Sequence, residues 1–306
     1  MNFGASFLPS RRFSRKTATE GERGWALVSV LWVVAILSML AAATQALTLT
    51  SYKTEHRAQD AARAGADLDA AVARAAAGIQ DPDMASRWRV DGVPRKFLFD
   101  GLAIRVAVQD QLGCIDLNTA DISIIRQLLR SQGLSLQAAD SIAGKIIDWR
   151  QAADLQSLHG ADDADYAAAG LPYRERHAAF QSVDELQLLL GMTPGLYEKL
   201  GDAVTVYSHR TGFDTSVAPR PLLMALYADD PRQVDAIMAQ RLNGGGQPFG
   251  NPNSVPPGIL APATPLGGRA FAVDASLNLN GRTFTRHAVI EMTGDDKAPY
   301  ITLDWR

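Results

Sequence analysis

GWALVSVLWVVAILSMLAAATQALTLTSY, residues 24–52, holds no charged residue and decides how the rest of the chain is read. Its apolar core, WALVSVLWVVAILSMLAAA, approaches the roughly 20 residues that an α-helix needs to span a bilayer. Ahead of it lie Arg11, Arg12, Arg15, Lys16 and Arg23. Such a basic flank stays cytoplasmic by the positive-inside bias and sends everything after Lys53 to the far side of the membrane. The sequence therefore predicts one transmembrane helix over 25–52, a cytoplasmic amino end and a bulk on the opposite side.

A removable secretory signal has the same three parts: a basic region, an apolar stretch, and small residues such as AAATQA. SRRFSRK even resembles a twin-arginine signal. The apolar core of a signal usually spans only about 7–15 residues, and this one runs longer without a break, which favours a permanent anchor.

Beyond the apolar run the pattern stays helical. Leu68, Val72, Ala75 and Ile79 form a narrow apolar stripe at the spacing of one helix face, and the abundant alanine favours a single long helix. Gly78 and the pair Asp81-Pro82 end it, because proline cannot continue the hydrogen-bond ladder and biases its predecessor to extended geometry. LAIRVAVQ alternates Ile104, Val106 and Val108 against Ala103, Arg105 and Ala107, the period of a strand. Near the other end FAVDASLNL alternates through Phe271, Val273, Ala275, Leu277 and Leu279. Asn280-Gly281 follows, a favoured hairpin turn pair. FTRHAVIEM and YITLDW read as two more strands, so a meander covering the upper half of the long helix is predicted.

Between these sheet portions, residues 118–242 carry helical periodicity and read as an inserted domain. Within it IDLNTADISIIRQLL and FDTSVAPRPLLMALY resemble one another: a turn-forming start, an alanine, then a short apolar helix, as in two related helical hairpins. Residues 243–268 are crowded with glycine and proline, as in GGGQPFGNPNSVPPG. They read as an exposed loop marking a boundary or a partner-binding tip.

Composition narrows the chemistry. A formal charge of -3 over 306 residues gives no global attraction to phosphate backbones. The single cysteine, Cys114, excludes an internal disulfide framework and any multi-cysteine zinc site; it reads as a buried small hydrophobe. His56, His159, His177, His209 and His287 are far apart and fit no metal-ligand spacing. No G-x-S-x-G elbow, Walker A loop or dinucleotide fingerprint appears, so no enzyme is predicted and no catalytic residue is named.

Particular strings then carry a family resemblance from end to end. DLNTA at 116–120, KIIDWR at 145–150, GADDADY at 160–166, LPYRERHAAFQSVDELQLLLGMTPGLYEKL at 171–200 and FTRHAVIEMTGDDKAPYITLDWR at the end resemble the general secretion pathway protein K family, the K-class minor pseudopilins of type II secretion systems. Each string also has a local reading. Ser182 with Glu185 makes a capping box, Leu186, Leu189 and Leu190 supply a buried stripe, Gly191 closes that helix and Thr193 caps the next.

The resemblance implies an α+β fold in which a pilin-like long amino-terminal helix packs on an antiparallel sheet and carries a large inserted all-helical domain. Its parts would be a prepilin-type leader (1–24), the transmembrane helix (25–52), a periplasmic helix and first strands (53–117), the helix-hairpin-helix-like insert (118–242), the Gly/Pro loop (243–268) and the closing strands (269–306). It implies cleavage between Gly24 and Trp25 by a prepilin peptidase, a bacterial inner-membrane location with the bulk periplasmic, and contact with the inner-membrane secretion platform. Further implied partners are the I- and J-class pseudopilins, at the tip of a filament that exports folded proteins with energy from a separate cytoplasmic ATPase. Most pilins and pseudopilins carry glutamate at the fifth mature position; here it is Ser29, a departure that marks the K class.

Calcium is also implied in the insert, where family members carry acid-rich stretches. DWRQAAD keeps Asp148 but has Gln151 and Ala153 where acids are usual, leaving Asp162, Asp163 and Asp165 as the calcium candidates, against a solvated acidic loop. The competing function is a membrane-anchored helix-hairpin-helix protein for DNA binding and uptake, which DLNTA and IIDWR also resemble. From Asp116 to Arg210, however, thirteen Asp and Glu stand against eight Lys and Arg. A phosphate-binding surface needs local positive charge, so nucleic acid is not expected as a partner.

Overall fold

A computed structural model describes residues 20–83, 86–151, 160–228, 230–242 and 266–306; in the first helix it describes side chains at Trp25, at 27–43 and from Glu55 onward. The chain runs through α1 (Glu20–Ile79), β1 (Arg95–Phe99), β2 (Leu102–Asp110), β3 (Ile115–Asp116), α2 (Ile122–Ser131), α3 (Leu136–Arg150) and α4 (Asp163–Ala168). There follow α5 (Pro194–Gly201), β4 (Val204–Thr205), α6 (Arg220–Leu226), α7 (Pro231–Leu242), β5 (Ala270–Leu279), β6 (Arg282–Asp295) and β7 (Ala298–Trp305). It divides into two units, one ending at Asp60 and one beginning at Ala61.

In the first unit the described side chains of α1 at Trp25 and over 27–43 are all exposed. Trp25 is 81% exposed and Met39 78%, so the described side chains on every face of this stretch are exposed. Of the expected leader, 1–24, residues 1–19 lie outside the described residues and Glu20 to Gly24 are described in backbone only. Among the described residues no helix is long and apolar enough to cross a membrane. The apolar run read from the sequence continues over 44–52, whose side chains lie outside those described.

In the second unit α1 shows a different surface. Ala64, Leu68, Ala71, Val72, Ala75 and Ile79 are buried, the stripe expected from their spacing with alanines filling its edges. They share one core with Ile104, Val106 and Val108 of β2, with Phe271, Val273, Ala275 and Leu277 of β5, and with Ala288 and Ile290 of β6. Ion pairs fix the rim: Arg63 meets Asp100 at 2.7 Å and Arg286 meets Asp69 at 2.9 Å. The helix stops where Trp88 folds back, its backbone N–H donating to the Gly78 carbonyl at 2.8 Å. A Cβ on Gly78 would fall 2.3 Å from the indole of Trp88, so only glycine lets that ring close the end of the core.

The sheet is antiparallel throughout, in the order β1-β2-β5-β6-β7. Asn280 and Gly281 have φ of 52° and 77°, the paired left-handed geometry of a tight hairpin, and they join β5 to β6. At the start of β5 both faces are buried, Phe271 toward α1 and Ala270 and Ala272 toward Tyr207 of the insert. That is why burial there is continuous instead of alternating.

The insert leaves the sheet after β2 and returns before β5. At its neck Asp110 is fully buried; it pairs with Arg269 and accepts the Leu112 N–H at 2.9 Å. The Gln109 amide donates to the Val217 carbonyl at 2.7 Å, an approach that leaves no room for a Cβ on Gly113, 2.6 Å from the same oxygen. The insert has its own core, from Ile115 and Leu117 through Ile146, Trp149, Tyr166 and Leu186 to Leu223 and Ile237. It is not wholly helical: β3 and β4 pair in parallel, Ile115 with Val204 and Asp116 with Thr205. Two-residue strands have no period to read.

The two similar strings take the same local form. Asp116 accepts the Asn118 N–H at 2.8 Å and Asp214 accepts the Ser216 N–H at 2.8 Å, each an Asx turn. A buried alanine follows, Ala120 or Ala218, and then α2 or α6. An arginine closes each unit. Arg150, ending α3, donates to the carbonyls of Leu117 and Ala120 at 2.6 and 2.8 Å; Arg241, in the last turn of α7, donates to those of Thr215 and Ala218 at 2.8 and 2.7 Å.

Candidate functional site

Two regions hold the residues singled out by the sequence. The first is the amino-terminal stretch of α1. Gly24 lies on the helix, which begins upstream of it at Glu20. Trp25 and Ser29 are exposed on its surface. A helix apolar all round is stable only with its circumference taken out of water, by lipid or by other helices. This surface is suited to packing.

The second is an acidic knot in the insert, where the end of α3, the start of α4 and residues 174–180 meet. Asp162 caps α4: it accepts the Asp165 N–H at 2.9 Å, while Asp165 accepts the Asp162 N–H at 2.9 Å, a reciprocal capping box. One oxygen of each is thereby used in holding the helix start. Asp163 faces outward from the same turn, 3.5 Å from the Arg174 guanidinium and 3.5 Å from His177 Nε2. Behind it lie Asp148 and Glu175, 4% and 7% exposed. Burial pushes the Glu175 carboxyl up to about 7, and the negative charges of Asp148, Asp163, Asp162 and Asp165 act in the same direction. Glu175 was not singled out from sequence, because only the fold brings residue 175 beside residues 148 and 163.

Whether this knot suits the calcium implied by the resemblance is a question of free oxygens, since calcium takes about 6–8 of them. Asp163 Oδ1 and Glu175 Oε1 are buried without a hydrogen-bond partner, which favours a cation. Against that, the capping box holds Asp162 and Asp165, and Asp163 faces two basic side chains. Among the described residues no group of three or more His, Cys, Asp or Glu is placed to hold a metal ion. Among the described residues, then, the carboxylates of the knot are engaged by a helix start and by basic side chains and do not form a calcium cage.

Other described side chains of this kind make structural contacts. Cys114 is buried, and burial, with Asp202 nearby, pushes its thiol up to about 12, the reverse of what a nucleophile needs. His287 pairs with Asp274 at 2.7 Å on the sheet, and His159 lies outside the described residues. Lys145, on α3, donates to the Leu190 carbonyl at 2.9 Å and so ties two parts of the insert together.

Residues 106–209 match the family model for the type II secretion system (T2SS), protein K. The type II secretion system protein K of Pseudomonas aeruginosa is 27% identical over 244 residues, covering 72% of this chain and 73% of that protein. The protein of the same name from Klebsiella pneumoniae is 26% identical over 245 residues, covering 72% and 74%. Among solved structures, a chain of the GspK-GspI-GspJ complex from the type 2 secretion system of enterotoxigenic Escherichia coli superposes with a TM-score of 0.58 at 17% identity. The match covers 84% of this chain and 98% of that one. At that identity the superposition speaks for the fold, a helix packed on an antiparallel sheet with a helical insert. The strings quoted above, the family model over residues 106–209 and these relatives agree: the chain is similar to type II secretion system protein K.

Proposed function

We propose that this protein is a minor pseudopilin that assembles at the tip of the secretion pseudopilus and starts its growth, and that it is not an enzyme. The observation that carries this reading is the surface of α1, whose described side chains from Trp25 to Ala43 are mostly apolar and exposed, while its apolar stripe from Ala64 to Ile79 is covered by the protein's own sheet. A bare apolar helix attached to a folded head can be held first in lipid and later among neighbouring helices. In this reading the protein resides in the inner membrane, with its head in the periplasm.

Prepilin peptidase would cut between Gly24 and Trp25, leaving WALVSVLWVV as the new start. Ser29 is then the fifth mature residue. Lacking a carboxylate there, the subunit cannot pair with the free amino end of a neighbour, which suits a position with no subunit ahead. The related Escherichia coli chain was solved in complex with GspI and GspJ, which supports I- and J-class pseudopilins as partners of this one. Co-purification from detergent extracts tests the assignment. The full chain should bring down both partners, and a chain with Val33→Asp and Leu37→Asp should lose them; retention of both partners by that variant would contradict this use of the helix.

A further inference from the structure

We propose that in this chain His177, backed by Arg174, takes the place a calcium ion would hold in the insert, so that the acidic knot is stable without metal. The imidazole lies between two carboxylates, with Nε2 3.5 Å from Asp163 and Nδ1 4.0 Å from Glu175. Arg174 adds a permanent positive charge 3.5 Å from the other oxygen of Asp163. The loop that carries them is pinned directly after His177. The Ala178 N–H donates to the Trp149 carbonyl at 3.1 Å, and Asn118 exchanges hydrogen bonds with Phe180 at 2.7 and 3.0 Å.

Just ahead of these anchors His177 has φ 51°, a left-handed geometry that non-glycine residues rarely adopt and that the surroundings must enforce. The enforcement aims the ring into the knot. The sequence changes nearby run in the same direction. Gln151 and Ala153 stand where the resemblance places acids, so the negative charge that would call for a divalent ion is reduced while a basic side chain is supplied.

Thermal unfolding of the full chain in detergent micelles, with millimolar calcium or with excess chelator, tests this. A calcium site filled to about a hundred times its Kd would raise the midpoint by roughly 5–10 °C for a unit of this size; the two midpoints should coincide. His177→Asn keeps a residue at home in the left-handed region and removes the ring, and it should lower the midpoint by a few degrees; Arg174→Gln should lower it by less. A calcium-dependent rise in the unaltered protein would overturn the proposal, as would His177→Asn with an unchanged midpoint. Should that variant not fold, calorimetric titration of the unaltered chain with calcium decides, with no binding heat expected and a saturable one contradicting the claim.

Discussion

Along α1 similar residues serve two purposes. From Trp25 to Ala43 valine, leucine, isoleucine and tryptophan surround the helix and none of the described side chains is covered. From Ala64 to Ile79 the apolar residues narrow to one stripe, and that stripe is buried against β2, β5 and β6. A stripe is enough to hold a sheet, whereas a full apolar circumference calls for an apolar solvent. The comparison teaches that the helix carries a covered folding element and an uncovered apolar one, and substitutions can separate them.

The largest separation is expected from one buried and one bare leucine. Leu68→Asp would place an unpaired charge in the core at a cost of about 3–5 kcal/mol, enough to unfold much of the second unit, as a urea titration would report. Leu37→Asp should leave that urea midpoint where it is and instead oppose membrane retention by about 2.5–3.5 kcal/mol, read by fractionation. Equal urea midpoints for the two variants would erase the distinction.

Arg241→Met comes next, because it leaves the Thr215 and Ala218 carbonyls without their donor in a site where the arginine is 1% exposed. A loss of about 2–4 kcal/mol is expected. Arg150→Met, at a half-buried site, should lose less; neither should alter fractionation. Gly78→Val, which drives a side chain into the Trp88 ring, should cost about 1–3 kcal/mol with membrane retention intact.

The smallest effect concerns pH. Its hydrogen bond to Asp274 holds the His287 imidazole above its ordinary range against the opposing pull of burial. A raised folded value means that the pair's stabilisation is complete below the unfolded value of about 6.5 and is lost as pH rises through the folded one. Both side chains are more than a third exposed, so solvent screening limits the contribution to about 0.2–1 kcal/mol. Asp274→Asn should therefore lower the urea midpoint slightly near pH 6 and leave it unchanged near pH 9; an equal loss at both would point to packing instead.

What was legible in the sequence follows from the same contrast. Leu68, Val72, Ala75 and Ile79, the alternation of LAIRVAVQ and FAVDASLNL, and the Asn280-Gly281 turn are local patterns with a period, and the structure places each in the element read from it. The similarity of IDLNTADISIIRQLL to FDTSVAPRPLLMALY was visible too. Its reason was not, because the arginines that clamp the two turns lie 30 and 23 residues beyond the alanines they hold, at helix ends where an arginine ordinarily reads as solvated. The edge strand Arg95–Phe99 alternates weakly, and only Phe97 among its residues is partly covered. The acidic knot draws on residues 148, 163, 175 and 177 from separate segments. No single stretch of sequence shows that Glu175 is buried there or that His177 faces it.

The central claim is that the bare part of α1 belongs to the working protein. Amino-terminal sequencing of the protein recovered from the membranes of secreting cells tests it most directly. A first residue of Trp25 is the predicted result. A first residue near Leu47, with the apolar run discarded, would contradict the account, because the head would then have nothing with which to enter lipid or a filament.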